Sequence, residues 1–378
     1  MRRWLGVSFA VVGVLAGVAC TPPGPSPTLP AGVGVQWLRD TGGSVDPGDG
    51  RYTPAYDRYT VVDAALSGPT SAGSTPDVLS PLFMSFQHLL PDGTAMFPYN
   101  GFAGEGITGT AAGGVITMTF PAGSCRISLF DTDNYIVFPS PDGTKAAVHV
   151  QDSFTDFSGI TIVSLVDGGE CPRVVRDVYV TPGPGGNSVA APAVWAPDSS
   201  AVAYAIRNAD TDPGTERVVR LAAVAGATPI DIVPATPETF VPLGWSVAGR
   251  VLVETLSQEL NLFTVPVSGG PRRMLDRVQL AGVTTPLPET VLSYLGYFVP
   301  GSTTVVFTAS SRVTNSSGQT YPWLQLRRIA DADGATSAPL VSPKAALTWH
   351  QAAIDPTAGP PFTLVDVPDS EVLERFVH

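Results

Sequence analysis

With three cysteines, four histidines and only 14% charged residues, this 378-residue chain is poor in the usual carriers of catalysis and metal binding. His88, His149, His350 and His378 show no metal-ligand spacing with one another. Three of them fall in strand-like runs and the fourth is the final residue, so each reads as structural rather than as a ligand. Positive charge is scarce too, with 21 Lys and Arg against 33 Asp and Glu, a formal net charge of −12. A surface this acidic excludes phosphate-backbone recognition, so nucleic acid is not an expected partner. Long helical periodicity is missing after the first twenty residues. Asp131-Thr132-Asp133-Asn134, Asp210-Thr211-Asp212 and Asp331-Ala332-Asp333-Gly334 offer carboxylates, but none completes a calcium loop. They read as solvated turns in which Asp bonds its own backbone. No metal and no cofactor is expected.

What the chain does have begins at its N-terminus. Arg2 and Arg3 precede an apolar stretch from Trp4 to Ala19 that ends in small residues, the three parts of an export signal. Leu15-Ala16-Gly17-Val18-Ala19-Cys20 resembles a bacterial lipobox, with Gly17 where Leu is usual. The resemblance implies acylation of the Cys20 thiol; the alternative is an ordinary secreted protein with Cys20 left over. Thr21 directly after the Cys resembles the pattern sent on to an outer membrane in hosts that have one. The general export route fits the short n-region better than a twin-arginine route. The expected layout is a signal over 1–19, a lipidated Cys20 with a Pro/Gly-rich tether over 20–50, and a folded domain over 51–378. Removing 1–19 takes away Arg2 and Arg3 and moves the charge from −12 to −14.

Gly (39) and Pro (37) make up about a fifth of the chain, which breaks helices and multiplies turns. Short β-branched runs such as Ile160-Thr161-Ile162-Val163 and Thr303-Thr304-Val305-Val306-Phe307 read as strands, and the class is all-β. A turn recurs between pairs of such runs. Leu90-Pro91-Asp92-Gly93-Thr94, Ser140-Pro141-Asp142-Gly143-Thr144 and Ala196-Pro197-Asp198-Ser199-Ser200 are its clearest copies. Weaker ones stand at Trp245-Ser246-Val247-Ala248-Gly249, Val299-Pro300-Gly301-Ser302 and Asp355-Pro356. Marked at Pro91, Pro141, Pro197, Val247, Pro300 and Pro356, the spacings are 50, 56, 50, 53 and 56. A period of this size built from short strands means a solenoid or a propeller.

A second landmark, Gly168-Gly169 and then Gly269-Gly270-Pro271-Arg272-Arg273 after Leu262-Phe263-Thr264-Val265-Pro266-Val267, reads as a hairpin between a third and a fourth strand. The combination resembles the blade repeat of TolB-like β-propellers and of the propeller domains of prolyl oligopeptidase relatives, across most of residues 80–367. The resemblance implies four-stranded blades, the best of them at Pro192–Ala196, Ser200–Asn208, Glu216–Val224 and Pro229–Pro234. Six blades are expected, or seven if Gly34–Arg39 begins one of its own. The last unit has only two strands, Leu347–Ile354 and Phe362–Val367. Tyr59–Gly68 and Val78–Ser80 are expected to complete it and close the ring.

Gly244-Trp245-Ser246-Val247-Ala248 approximates a nucleophile elbow, but its Ser falls in the repeat turn rather than between a strand and a helix. No catalytic residue is assigned, and the chain is expected not to be an enzyme. Cys125 and Cys171, 46 positions apart, either form a disulfide, as exported thiols tend to, or lie too far apart on neighbouring blades. The expected function is a lipid-anchored envelope scaffold that binds a protein, peptide or polymer. The alternative is a lyase or glycoside hydrolase with converging carboxylates at the channel mouth.

Overall fold

The computed structural model describes residues 29–46, 52–63, 65–73, 88–89, 95–96, 103–104, 107–112, 115–128, 134–152, 157–180, 188–208, 215–256, 259–279, 295–340, 348–353 and 363–377. Among them the chain is all-β, built of small antiparallel sheets. Strands β1 (Gly34–Val45), β2 (Tyr52–Val62) and β3 (Ala65–Gly73) come first, then a short pair, β4 (His88–Leu89) and β5 (Ala95–Met96). Four meanders follow in chain order. The first is β6 (Ala103–Gly104), β7 (Ile107–Ala112), β8 (Val115–Phe120) and β9 (Gly123–Ser128). The second is β10 (Asn134–Pro139), β11 (Lys145–Asp152), β12 (Phe157–Ser164) and β13 (Arg173–Val180). Next come β14 (Ser188–Trp195), β15 (Ala201–Asn208), β16 (Thr215–Ala222) and β17 (Ile230–Thr236). The fourth is β18 (Thr239–Trp245), β19 (Arg250–Leu256), β20 (Glu259–Pro266) and β21 (Arg273–Gln279). A fifth meander holds β22 (Leu295–Phe298), β23 (Thr304–Thr314), β24 (Thr320–Ala330) and β25 (Ala338–Pro339). A hairpin of β26 (Trp349–Ala353) and β27 (Leu364–Pro368) precedes the last strand, β28 (Glu371–Val377).

The repeated turn explains why these strands pair as neighbours. In the copy at Pro141, the Gly143 N–H donates to Ser140 O (2.9 Å) and the Ser140 N–H to Lys145 O (2.9 Å). Asp142 then accepts from the Ser140 hydroxyl (2.6 Å) and the Thr144 N–H (3.0 Å), so the acid is spent on local geometry. The same two backbone bonds recur at Ala196/Ser199/Ala201, at Ser246/Gly249/Arg250 and at Val299/Ser302/Thr304. Two of these copies lack the Asp, so backbone geometry outlasts the motif that announces it. Ser199 occupies the left-handed position that Gly143 and Gly249 fill elsewhere, at φ 58°. A side chain there costs about 1–2 kcal/mol. Its hydroxyl accepts the Asp142 N–H from the neighbouring sheet (3.1 Å), a bond a glycine cannot make.

The sheets β10–β13, β14–β17, β18–β21 and β22–β25 each contribute to two cores, and alternate residues along one strand serve different neighbours. On β11, Ala146 and Val148 pack with Ile116, Met118 and Phe120 of one adjacent sheet. Ala147 instead joins Phe138, Trp195 and Tyr204 toward the other. Polar bonds cross these junctions as well. Trp195 Nε1–H donates to Phe138 O (2.8 Å), and buried Glu216 accepts both Arg207 Nε–H and the Phe240 N–H of the next sheet (2.8 Å each). Asp331, with a side chain 1% exposed, receives the Thr264 hydroxyl (2.8 Å) and pairs with Arg250 (3.2 Å) and Arg273 (2.8 Å). The reading of Asp331 as a solvated turn acid is therefore corrected: it ties two sheets together.

Cys125 on β9 and Cys171 just before β13 are joined in a disulfide, with Cα atoms 5.0 Å apart. The geometric objection is met by the loop after β12, which bends across to β9. Gly169 O accepts the Arg126 N–H (3.0 Å) and the Cys171 N–H donates to Arg126 O (2.8 Å). Gly123 permits this approach, since a Cβ there would lie 2.1 Å from Asp167 Oδ1. Replacing both cysteines with Ser opens a 46-residue loop and should cost about 4 kcal/mol in a denaturant melt.

The chain ends meet differently from expectation. Gly34–Val45 is not tether: β1 sits between β2 and β28, in a sheet separate from β26 and β27, with Val35, Trp37 and Leu38 buried. Folded structure thus begins upstream of residue 51. Tyr59–Gly68 falls within β2 and β3, whereas the pair at 349–353 and 364–368 forms its own two-stranded sheet. The strand that joins the N-terminal sheet is β28, in register from Gly34↔Val377 to Arg39↔Glu371. Val78–Ser80, the turn at Pro91 and Asp355-Pro356 lie outside the described residues. Leu373 and Phe376 of β28 bury into a core with Trp37, Tyr297 and Val306. Phe376→Ala should cost about 3–5 kcal/mol by chemical denaturation, and truncation after Pro368 should prevent stable folding.

Candidate functional site at the seam between the chain ends

Where β26, β27, β28 and β1 converge, polar side chains gather that no local motif predicts. The hairpin brings Thr348 and Asp369 level, with the Asp369 N–H donating to Thr348 O (3.0 Å). One Asp369 oxygen lies 3.0 Å from His350 Nδ1, and the other accepts the Thr348 hydroxyl. Arg39 reaches over from β1, donating to Thr348 Oγ1 (2.6 Å) and pairing with Asp369 (3.2 Å). Two residues on, Glu371 accepts the Leu326 N–H of β24 (3.4 Å). Thr348 is exposed, whereas the His350 and Asp369 side chains are each only 9% exposed, so the group is packed on most sides and meets solvent at Thr348.

The two carboxyls of this cluster are driven apart. Burial pushes Asp369 up, but the hydrogen bonds from His350 and Thr348 and the Arg39 charge outweigh it and hold Asp369 below the usual carboxylate range. Burial raises Glu371, and its contacts with the Leu326 N–H and Arg39 do not compensate. Environments that shift neighbouring carboxyls in opposite directions are a feature of acid–base sites.

Other sequence candidates fall elsewhere. Cys20 and His378 lie outside the described residues, as do Asp131, Asp133, Asp210 and Asp212. His88 lies on β4, and His149 is buried on β11, where desolvation lowers its pKa to about 4. Ser246 is buried in the turn between β18 and β19, its Oγ accepting the Arg250 N–H (3.1 Å), with a strand on either side rather than a helix. Among the described residues, no three His, Cys, Asp or Glu side chains are grouped to hold a metal ion. Sequence reasoning missed Arg39, Thr348, Asp369 and Glu371. Arg39 stands more than 300 positions from the other three, and only a correct pairing of the chain ends would have joined it to them.

The sign of the pH dependence follows from these shifts. Asp369, depressed on folding, contributes stability above its unfolded pKa of about 4 and loses it as pH falls through the lower folded value. Glu371, raised on folding, acts oppositely, favouring the fold below its unfolded pKa of about 4.3 and losing that contribution as pH rises through the higher folded value. Urea melts should therefore show Asp369→Asn about 2 kcal/mol less stable at pH 7, with the difference closing toward pH 3. Glu371→Gln should be neutral or stabilising at pH 7.

No family model matches this chain, and no curated protein does. Solved structures similar to it include TolB from Acinetobacter baumannii, at 15% identity and TM-score 0.44, covering 82% of this chain and 63% of that one. Apo prolyl oligopeptidase B from Galerina marginata follows at 15% identity and TM-score 0.43, covering 77% of this chain and 42% of that one. A structure from an analysis of two prolyl endopeptidases gives 12% identity and TM-score 0.40 over 76% and 42%. The chain thus spans less than two thirds of the length of each. The expectation that this chain is not an enzyme is withdrawn, since prolyl oligopeptidases are among the similar structures; at this identity and TM-score no activity passes from them to this chain.

Proposed function

We propose that this chain is a six-bladed, TolB-like β-propeller, anchored to an envelope membrane through Cys20, that binds a protein, peptide or polymer at the rim carrying the seam cluster. The carrying observation is the register of β28 on β1, which makes a sixth four-stranded sheet from both chain ends. Six such sheets, each bonded to its successor along most of the sequence, favour a ring whose sheets bury one another. At the seam, Arg39, Thr348, His350 and Asp369 present a cation, a hydroxyl, an imidazole and a carboxylate together on one rim. Such a set suits polar recognition better than a purely apolar groove does.

The split between Asp369 and Glu371 favours a second reading, in which the same rim acts on its ligand as a lyase or glycoside hydrolase. Carboxyl pairs whose environments shift them in opposite directions are what those reactions build on. Under that reading, Glu371→Gln abolishes turnover on an envelope polysaccharide while leaving binding intact.

Two measurements test the anchored binder. Metabolic labelling with a fatty-acid analogue should mark the wild type, and Cys20→Ala should lose both label and membrane retention. Crosslinking in the native envelope, read by mass spectrometry, should capture a discrete partner or polymer fragment, and Arg39→Ala with His350→Ala should reduce capture about tenfold. An unlabelled wild type sinks the anchor, and capture indifferent to the seam variants sinks the binding face.

A further inference from the structure

Six large apolar side chains stand exposed among the described residues: Val166, Val224, Ile230, Val247, Met274 and Leu364. Five of them share one end of three successive sheets. Val166 lies in the turn from β12 to β13 and Val224 in that from β16 to β17, where Ile230 opens β17. Val247 lies in the turn from β18 to β19, and Met274 is the second residue of β21. In an antiparallel meander the first-to-second and third-to-fourth turns fall at the same end. The Asp142 N–H to Ser199 Oγ bond (3.1 Å) and the approach of Gly269 to Asp231 O set these ends of the three sheets side by side, so the five residues share one rim. Pro141 and Pro197, also exposed, sit at the tips of the first-to-second turns beside them.

The chain enters at that same rim. In the N-terminal sheet, Gly34 stands opposite Val377 on one side and Val62 on the other, and Val62 pairs with Ala65 across the β2–β3 turn. This end of the sheet corresponds to the short-turn end of the others, and the Gly32 N–H is fastened there to Asp63 (3.0 Å). Cys20 precedes Leu29, which packs on the core, by only nine residues. A fully extended segment of that length reaches about 30 Å. The seam cluster lies at the opposite end, where β28 begins.

We propose that the short-turn rim is a membrane-facing base, whose exposed Val166, Val224, Ile230, Val247 and Met274 settle onto a zwitterionic lipid surface while the seam rim points away. The inference rests on the Cys20 anchor proposed above, which supplies the short tether that makes a weak apolar contact effective. In a six-sheet ring the sheet bearing Val224 and Ile230 stands across the axis from the tethered sheet. Tether and apolar side chains then hold opposite sides of the base against the bilayer. Charge argues for neutral lipid: Asp142, Asp167, Glu170 and Asp198 are exposed on the same turns, and the chain carries a net charge of −12.

The test uses the mature chain from Cys20, with that thiol coupled chemically to a maleimide-headgroup lipid in phosphatidylcholine vesicles. It therefore reports on the base whether or not cells acylate Cys20, and loss of the natural anchor is read separately by the labelling above. Hydrogen exchange should slow about tenfold at Val166–Gly169, Val224–Ala227 and Val247–Gly249 relative to the uncoupled protein, with no change at Asn315–Gln319 on the far rim. Val166→Asp, Val224→Asp and Val247→Asp together should remove the protection without lowering Tm, since all three side chains are exposed. No protection, protection only on anionic vesicles, or protection that survives the triple variant would each overturn the proposal.

Discussion

A four-stranded sheet with apolar residues on both faces cannot stand alone, and in this chain every such sheet depends on the next to cover it. β11 shows the constraint at single-residue scale, with Ala146 and Val148 turned to one neighbour and Ala147 to the other. A row of sheets bound by this rule has two uncovered ends unless something joins them. The pairing of β28 with β1 covers one of them here, taking Leu373 and Phe376 into a core shared with Tyr297 and Val306 of the β22–β25 sheet. The polar junctions gain their weight from the same burial. Asp331 between Arg250 and Arg273, or Glu216 beneath Phe240, would each be an uncompensated charge if its partners were removed, a loss of about 3–5 kcal/mol.

The repeat was legible because it is local. Pro141-Asp142-Gly143 and Pro197-Asp198-Ser199 advertise turns through backbone chemistry, and the strand layout around Pro197 agrees with β14 to β17 within a few residues. The degraded copy at Val247 was legible only by spacing, yet its backbone bonds match the others. The chain ends were misread for an equally physical reason. Gly34–Val45 follows a Pro-rich stretch and carries Gly42-Gly43, so composition spoke for tether while Val35, Trp37 and Leu38 spoke for core. Glu371–Val377 has no turn motif beside it, and a strand without its turn leaves little trace in a repeat.

The seam cluster was illegible for the same cause. Arg39 joins it only through a pairing that spans the whole length of the chain, and the hairpin carrying Thr348, His350 and Asp369 has only the weak Asp355-Pro356 copy of the turn. Once β28 is in register on β1, Arg39 and Glu371 stand opposite one another, and the hairpin of β26 and β27 adds His350 and Asp369. Polar groups at such a junction serve two ends at once, fastening the sheets and offering a surface of mixed charge. The two carboxyls there differ because Asp369 is surrounded by donors while Glu371 is mainly surrounded by core.

The register of β28 on β1 also sets a clock. Arg39 and Glu371 are 332 positions apart, which at about 5–20 residues per second separates their synthesis by roughly 17–70 seconds. Throughout that interval β1 has one edge with no strand to bond, the kind of edge that recruits foreign strands. The late arrival of its partner makes completion of this sheet a long-range, slow step compared with the local meanders. Until then the fold depends on shielding a single early strand for a distant one that appears last.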